Sequence, residues 1–380
     1  MTAPLVDRQS VIAKTRPYTR IAVIGAGAWG TALAAVARRA GREVTIWGRD
    51  PEVVRSLNEE NRNNRYLPEI DLPSGMKATT DLGEALAGAE AVMLVTPSHT
   101  VREISRAVAG HLEEKTAIAL CAKGIEAGTG RLLANVAGAE MPGHPVGAIS
   151  GPTFAHETAK AYPTAVTVAF DFTHEDRLSP SESAAARFAL SLSSETFRPY
   201  ISDDLTGVEI GGAVKNVIAI ACGMMTGAGF AENTRAALIA RGMDEMKALA
   251  EALGGRRETV TGLSGAGDLT LTCSSRTSRN MSLGIQLGQG MARENCFEGR
   301  PVVVEGEVNS VSVTDLASRM GVAMPICEAV WQILHGGADL RATFAQLWSQ
   351  PIMGEPKALD ILIDHPSGRR GIEDFAGVFA

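Results

Sequence analysis

Cysteine is scarce in this 380-residue chain, and its pattern argues against two chemistries. The five cysteines (Cys121, Cys222, Cys273, Cys296, Cys327) are odd in number and far apart, with no Cys-x-x-Cys pair. Neither a disulfide framework nor a thiolate zinc site is expected. The seven histidines are dispersed, with no His-x-His or His-x-x-x-His spacing, so no metal is expected. Basic residues are not in excess: 36 Lys and Arg stand against 43 Asp and Glu, a net charge of -7, which argues against a nucleic-acid partner. The first twenty residues hold no continuous apolar run of the signal-peptide kind. The most apolar stretch, 205–231, is broken by glycines, Glu209 and Lys215, and reads as a buried helix or helix pair, not a membrane span. No repeat of 20–50 residues and no low-complexity tract is present. A soluble protein with reduced thiols, in the cytoplasm, fits all of this.

What remains is an ordinary globular composition, 45% apolar and 21% charged, on a length that suggests about two domains. The first half alternates short β-rich runs, "RIAVIGAG" (20–27), "REVTIWGR" (42–49), "EAVMLVTPS" (90–98), "TAIALCAKG" (116–124) and "PVGAIS" (145–150), with alanine-rich helical ones. "PTAVTVAF" (163–170) and "TFRPYIS" (196–202) extend the series, and 179–194 reads as a capped helix. Alternation of this kind predicts a doubly wound, mostly parallel α/β sheet. Beyond residue 204 the strands stop, and a mainly α-helical C-terminal domain is expected. The divisions are an N-terminal arm over 1–19, a dinucleotide-binding domain over 20–204, a helical substrate and catalytic domain over 205–355, and a tail over 356–380.

"GAGAWG" sets Gly25, Gly27 and Gly30 as GxGxxG. The motif is weak alone, but here it directly follows the strand "IAVI" and opens the helix "TALAAVARR", the context of a Rossmann-like dinucleotide site. Gly25 permits the tight turn, Gly27 the approach of a pyrophosphate and Gly30 the packing of helix on strand. At the end of the second strand, in "TIWGRDPEVV", Asp50-Pro51-Glu52 reads as N-cap, first-turn proline and first-turn acid. That leaves Arg49 for a 2′-phosphate, so NADP(H) is favoured, with NAD(H) usable as well.

"GGAVKNVIAIA" (211–221) places Lys215 as the single charge in a run that, Asn216 apart, is small or apolar. A buried ammonium needs a partner or a lowered pKa. Glu209, six residues earlier, is badly placed on a helix to serve. Three polar stretches stand out besides: "CAKGIEAGTGR" with Lys123, "SGPTFAHE" (150–157), and "GLSGAGDLTLTCSSRTSRN" (262–280), read as a long polar loop carrying Asp268, Arg276, Arg279 and Asn280. Taken singly, Lys123 could cap a strand end, Asp268 could cap a helix, and Arg279 could be an ordinary surface arginine.

"GAGAWGTALA", "CAKGIE", "SGPTFAHE", "GGAVKNVIAIACGM", "GLSGAGDLTLTC", "SRN" and "VVEG" follow in order over roughly residues 20 to 350. In this the chain resembles the bacterial NAD(P)-dependent glycerol-3-phosphate dehydrogenases. The resemblance implies interconversion of dihydroxyacetone phosphate and sn-glycerol 3-phosphate, supplying phospholipid synthesis, by a homodimer. It implies Lys215 as the catalytic lysine with Asp268, and substrate contacts at Lys123, Gly151, Thr153, Lys215, Asp268, Ser278, Arg279 and Asn280. It implies cofactor contacts at Ala28, Trp29, Arg49, Lys123, Ala155, Arg279, Val303 and Glu305. Many members carry serine where Ala28 stands, so only a backbone contact is expected there. A β-hydroxyacid dehydrogenase, which recognises a carboxylate, is the competing enzyme reading; the arginines of "SSRTSRN" suit phosphate instead. A dinucleotide sensor without turnover would leave Lys215 and Asp268 unexplained.

Overall fold

The computed structural model describes residues 15–355 and 361–365 and divides the chain into two compact units. The first comprises Met1–Ala122 and Leu133–Leu205, the second Lys123–Leu132 and Thr206–Ala380.

The first unit is built on eight strands: β1 (Arg20–Ile24), β2 (Glu43–Trp47), β3 (Met76–Thr79), β4 (Ala91–Leu94), β5 (Ala117–Leu120), β6 (Val146–Ser150), β7 (Thr164–Phe170) and β8 (Phe197–Ser202). They lie in the order β3-β2-β1-β4-β5-β6-β7-β8. All neighbouring pairs are parallel except β6 and β7. Helices α1 (Ala28–Arg39), α2 (Pro51–Glu60), α3 (Leu82–Leu86) and α4 (Val101–Ala109) connect the first half of the sheet. Helices α5 (Leu133–Glu140), α6 (Ala155–Ala159), α7 (His174–Leu178) and α8 (Ala184–Leu192) follow. Strands β4 and β5 are buried throughout, as covering on both faces requires, and for that reason their sequences do not alternate. Strand order reverses between β1 and β4, and the crevice beyond the carboxyl ends of such a pair is where doubly wound sheets take ligands.

The second unit is helical: α9 (Leu205–Gly227), α10 (Glu232–Ala252), α11 (Arg257–Val260), α12 (Asp268–Ser274), α13 (Arg279–Gly288), α14 (Glu305–Met320), α15 (Pro325–His335) and α16 (Leu340–Trp348). A small hairpin of β9 (Ile352–Met353) and β10 (Leu362–Ile363) ends the described chain. The stretch read as a helix or helix pair is one helix, α9. It is long and apolar enough to cross a membrane, but 94% of its apolar window is buried inside the protein, so it is a core helix. Helix α13 crosses it backbone to backbone. A Cβ on Gly223 would come within 2.3 Å of the Met281 carbonyl, and one on Gly284 within 2.2 Å of the Ile220 carbonyl, so only glycine fits at this crossing.

The structure departs from the sequence reading in four places. Strand β3, "MKAT", is short, carries a lysine and sits at the sheet edge, too little signal to mark it. Residues 15–19 of the expected arm belong to the first unit. Tyr18 is buried, its N–H donates to Ser191 Oγ at 2.8 Å, and its ring lies edge-on to Phe188 with centroids 5.2 Å apart. Residues 1–14 of the arm, and 356–360 and 366–380 of the tail, lie outside the described residues. Segment 123–132 joins the helical unit because Arg319 on α14 donates to the Gly128 and Thr129 carbonyls, each at 3.1 Å. The polar stretch 262–280 is mostly not a loop: a wide turn of π-type over Leu263–Gly267 leads straight into α12.

One buried acid gives the helical unit a pH response. Glu245 on α10 accepts the N–H groups of Ile326 (2.7 Å) and Cys327 (3.2 Å) at the start of α15. Burial pushes its carboxyl up to about 7, against the pull of those two donors. A pKa raised on folding gives stability that is complete below the unfolded value and lost as pH rises through the folded one. The loss is on the order of 3 kcal/mol at about 1.4 kcal/mol per unit. Thermal unfolding midpoints should therefore fall from about pH 5 to about pH 8. In Glu245→Gln that slope should flatten, and an unchanged slope would assign it to other groups.

Candidate active site

The glycine loop of the first unit is shaped by three different constraints. Gly25, just past β1, has φ +125°, and a Cβ there would lie 2.6 Å from the Val95 carbonyl. A Cβ on Gly30 would meet the Gly25 carbonyl at 1.8 Å, so α1 can begin this close to the strand only with glycine. At Gly27, by contrast, a Cβ would meet nothing within 4 Å; the backbone opens onto free space. Gly27 is also the N-cap of α1 and offers no side chain to the first-turn N–H groups, which begin at Ala28 and Trp29. Twelve residues of helix dipole and open backbone donors suit a pyrophosphate. Asn63, fully buried, supports the loop from below: its Nδ2 donates to the Ala26 carbonyl at 2.9 Å and to Thr31 Oγ1 at 2.7 Å. At the end of β2, Arg49 is exposed. Asp50 caps α2 by accepting the Glu52 N–H at 3.0 Å and pairs with Arg65. Hydrogen bonds from Arg65 and the Glu52 backbone hold its carboxyl below the usual range.

In the second unit the buried lysine finds its partner. Lys215 Nζ lies 2.8 Å from Asp268 Oδ1 and 2.8 Å from Thr272 Oγ1. Lys123 Nζ lies 2.6 Å from the other carboxylate oxygen, Oδ2. Asp268 is 1% exposed and Lys215 7%, so two ammoniums share one carboxylate in a nearly dry setting. Burial lowers the proton affinity of Lys215, Asp268 restores part of it, and Lys123 opposes. For Asp268 burial works upward, but the two lysines outweigh it and hold the carboxyl below its usual range. Asp268 opens α12 without capping it, and it is Asp268 that pairs with Lys215. Thr272, one helical turn after Asp268, completes the group, its hydroxyl 3.3 Å from Asp268 Oδ1. A positive, water-poor cluster with a lysine of weakened proton affinity can stabilise a developing oxyanion and hand it a proton.

Family models decide what this assembly belongs to. The model described as "NAD-dependent glycerol-3-phosphate dehydrogenase N-terminus" matches residues 20–176, and that of the C-terminus matches 204–345. The chain belongs to the NAD-dependent glycerol-3-phosphate dehydrogenase family. Glycerol-3-phosphate dehydrogenase [NAD(P)+] of Rhodospirillum rubrum is 46% identical over 335 residues, 88% of this chain and 93% of the relative. That of Caulobacter vibrioides is 45% identical over 89% of this chain and 99% of the relative. The crystal structure of glycerol-3-phosphate dehydrogenase from Coxiella burnetii superposes with a TM-score of 0.79 at 38% identity, covering 88% of this chain and 99% of that one.

Within the family frame the remaining residues fall as follows. Gly151 follows β6, where a Cβ would lie 2.9 Å from Val166 Cα; Thr153 Oγ1 donates to the Gly151 carbonyl at 3.3 Å, and Ala155 opens α6. These three belong to the first unit. Ser278 is the N-cap of α13, accepting the Met281 N–H at 3.3 Å, and Arg279 beside it is exposed. Asn280 is buried, with its amide donating to Asn216 Oδ1 and accepting the Gly306 N–H, both at 2.9 Å. Asn216 in turn donates to Glu305 Oε2 at 3.4 Å, while Val303, just before α14, is exposed. Asn280 thus braces α9 against the start of α14. Thr272, Asn216 and Asn63 were not singled out from sequence. The spacing of Asp268 and Thr272, i and i+4 on one helix, was the available signal for the first. Among the described residues no group of three His, Cys, Asp or Glu side chains converges as a metal site would require.

Proposed function

We propose that the protein interconverts dihydroxyacetone phosphate and sn-glycerol 3-phosphate with NAD(P)H, Lys215 giving the proton to the carbonyl oxygen and taking it back in reverse. The observation that carries this reading is the pairing of two ammoniums with one buried carboxylate. The cluster holds one positive charge in excess, which an anionic substrate complements. When bound, the reduced nicotinamide supplies hydride to the carbonyl carbon. As the carbonyl π bond breaks, negative charge builds on the oxygen, the Lys215 N–H bond breaks and the O–H bond forms. Asp268 keeps Lys215 protonated up to that point, and Thr272 fixes the direction of its nitrogen. Arg279 at the start of α13 and the Ser278 hydroxyl are assigned to the phosphate, the guanidinium for its fork of donors. Asn280 takes part through the brace it forms and through its remaining amide hydrogen. Lys123, Gly151 and Thr153 complete the substrate set.

For the cofactor, Gly25, Gly27, Ala28, Trp29 and Gly30 are assigned to the pyrophosphate side, with Arg49 at the 2′ position. Lys123, Ala155, Arg279, Val303 and Glu305 complete the set. The carboxylate of Asp50 is already engaged twice, by the α2 cap and by Arg65, and so is poorly placed to take a ribose 2′-hydroxyl. This favours NADP(H) over NAD(H), with both accepted. A cytoplasmic homodimer feeding phospholipid synthesis is the setting that goes with this activity. Initial rates with NADPH and NADH, each with dihydroxyacetone phosphate and with 3-oxoacids, test the reading directly. Turnover of the phosphate substrate, faster with NADPH, is the expected outcome. No turnover of that substrate ends the proposal, and a tenfold preference for NADH reverses its cofactor part.

A further inference from the structure

Asn309 lies on α14, is 1% exposed, and uses its amide in an uneven way. Nδ2 donates to the Lys123 carbonyl at 3.3 Å and to the Ala213 carbonyl on α9 at 3.2 Å. Oδ1 is buried without a hydrogen-bond partner among the described residues. A bare buried acceptor costs about 1–3 kcal/mol. A side chain serving only to fill space would be more stable as an apolar residue of the same size. The donor half is therefore what the position requires. Its two acceptors are the residue bearing one ammonium of the cluster and a residue two places before the other.

The surroundings make α14 a rigid base for that connection. One turn before Asn309, the Gly306 N–H is held by Asn280, which also holds Asn216, the neighbour of Lys215. Helix α9 is thus tied to α14 on both sides of Lys215, at Ala213 and at Asn216. Farther along α14, Arg319 holds the Gly128 and Thr129 carbonyls, so segment 123–132 is fastened to the same helix at its first residue and again midway. We propose that Asn309 is a positioning residue that fixes the Lys123 backbone against α9 and so sets how Lys123 and Lys215 share Asp268. The inference rests on reading Lys215 as the proton donor.

The readout follows from electrostatics. Lys123 lowers the proton affinity of Lys215, so a Lys123 that drifts from Asp268 leaves Lys215 holding its proton to higher pH. Asn309→Leu, similar in volume and without donors, should lower kcat roughly ten- to hundredfold, the scale of a displacement of about 1 Å. It should also move the alkaline limb of the pH profile for dihydroxyacetone phosphate reduction upward. In a Lys123→Met background the same change should add no further pH shift, because its effect passes through Lys123. Parental kcat and an unmoved limb, with only a lower unfolding midpoint, would reduce Asn309 to a packing residue. A pH shift that persists on top of Lys123→Met would show that Asn309 acts elsewhere, which also overturns the proposal. Should the leucine variant not fold, Asn309→Ala, which is likewise uncharged and without donors, takes its place with the same expected and overturning results. Failure of the Lys215 reading itself is seen separately, as full activity in Lys215→Met.

Discussion

Lys215→Met protein should bind NADPH as tightly as the parent and reduce dihydroxyacetone phosphate roughly 10²–10⁴-fold more slowly. The methionine keeps the length and much of the volume of the lysine while removing both the transferable proton and the charge facing the developing oxyanion. Its effect on stability should be small or favourable. The change takes one of two ammoniums from a buried site and leaves Asp268 in a one-to-one pair with Lys123 at 2.6 Å. Exchanging a buried charge for an apolar group of like volume is often neutral or stabilising, provided its partner is not stranded. Loss of turnover with an unshifted thermal unfolding midpoint would therefore place Lys215 in the chemistry and not in the scaffold. A kcat within tenfold of the parent would remove it from the mechanism.

The sequence displayed the sheet and the glycine loop well, because both depend on local pattern. Runs such as "AVML" and "AIAL" are apolar throughout since both faces are covered, and GxGxxG has its meaning between one strand and one helix. Strand β3 escaped notice for the converse reason: four residues, one of them a lysine, are too short a run to display a period. The anomaly of Lys215 was visible as a charge among apolar neighbours, and its partner Asp268 could be named. The geometry of that partnership could not. Asp268 lies 53 residues from Lys215 and 145 from Lys123, and no local rule spans those distances. Asn309 and Asn63 were invisible for a related reason. Asn309 donates to two backbone carbonyls of distant segments and Asn63 to one, and a carbonyl leaves no trace in the amino-acid sequence. The polar stretch 262–280 drew attention through its glycines and serines, yet its first part is helical, since the glycines serve close packing there instead of a flexible loop. A Cβ at Gly265 would lie 1.9 Å from the Val260 carbonyl.

Asp268→Asn should also reduce activity by orders of magnitude, but with the opposite stability signature. The carboxylate is the counterion of two lysines in a site where it is itself 1% exposed. Without its charge, both ammoniums remain in the site with no anion between them. Removing one partner from a buried ion pair typically costs about 3–5 kcal/mol. The least costly escape is loss of a proton, and Lys215 is the more deeply buried of the two. Burial and Lys123 already lower its proton affinity, and Asp268 was the main force restoring it. The alkaline limb of the reduction profile should accordingly move to lower pH, so that activity recovers in part on acidification. That direction is opposite to the upward shift expected for Asn309→Leu, although both substitutions slow the reaction. Urea unfolding together with a pH–rate profile on the same preparation tests the argument. A limb that stays in place or moves upward would show that Asp268 does not hold the proton on Lys215. Undiminished stability would mean that the two ammoniums do not depend on it for charge compensation.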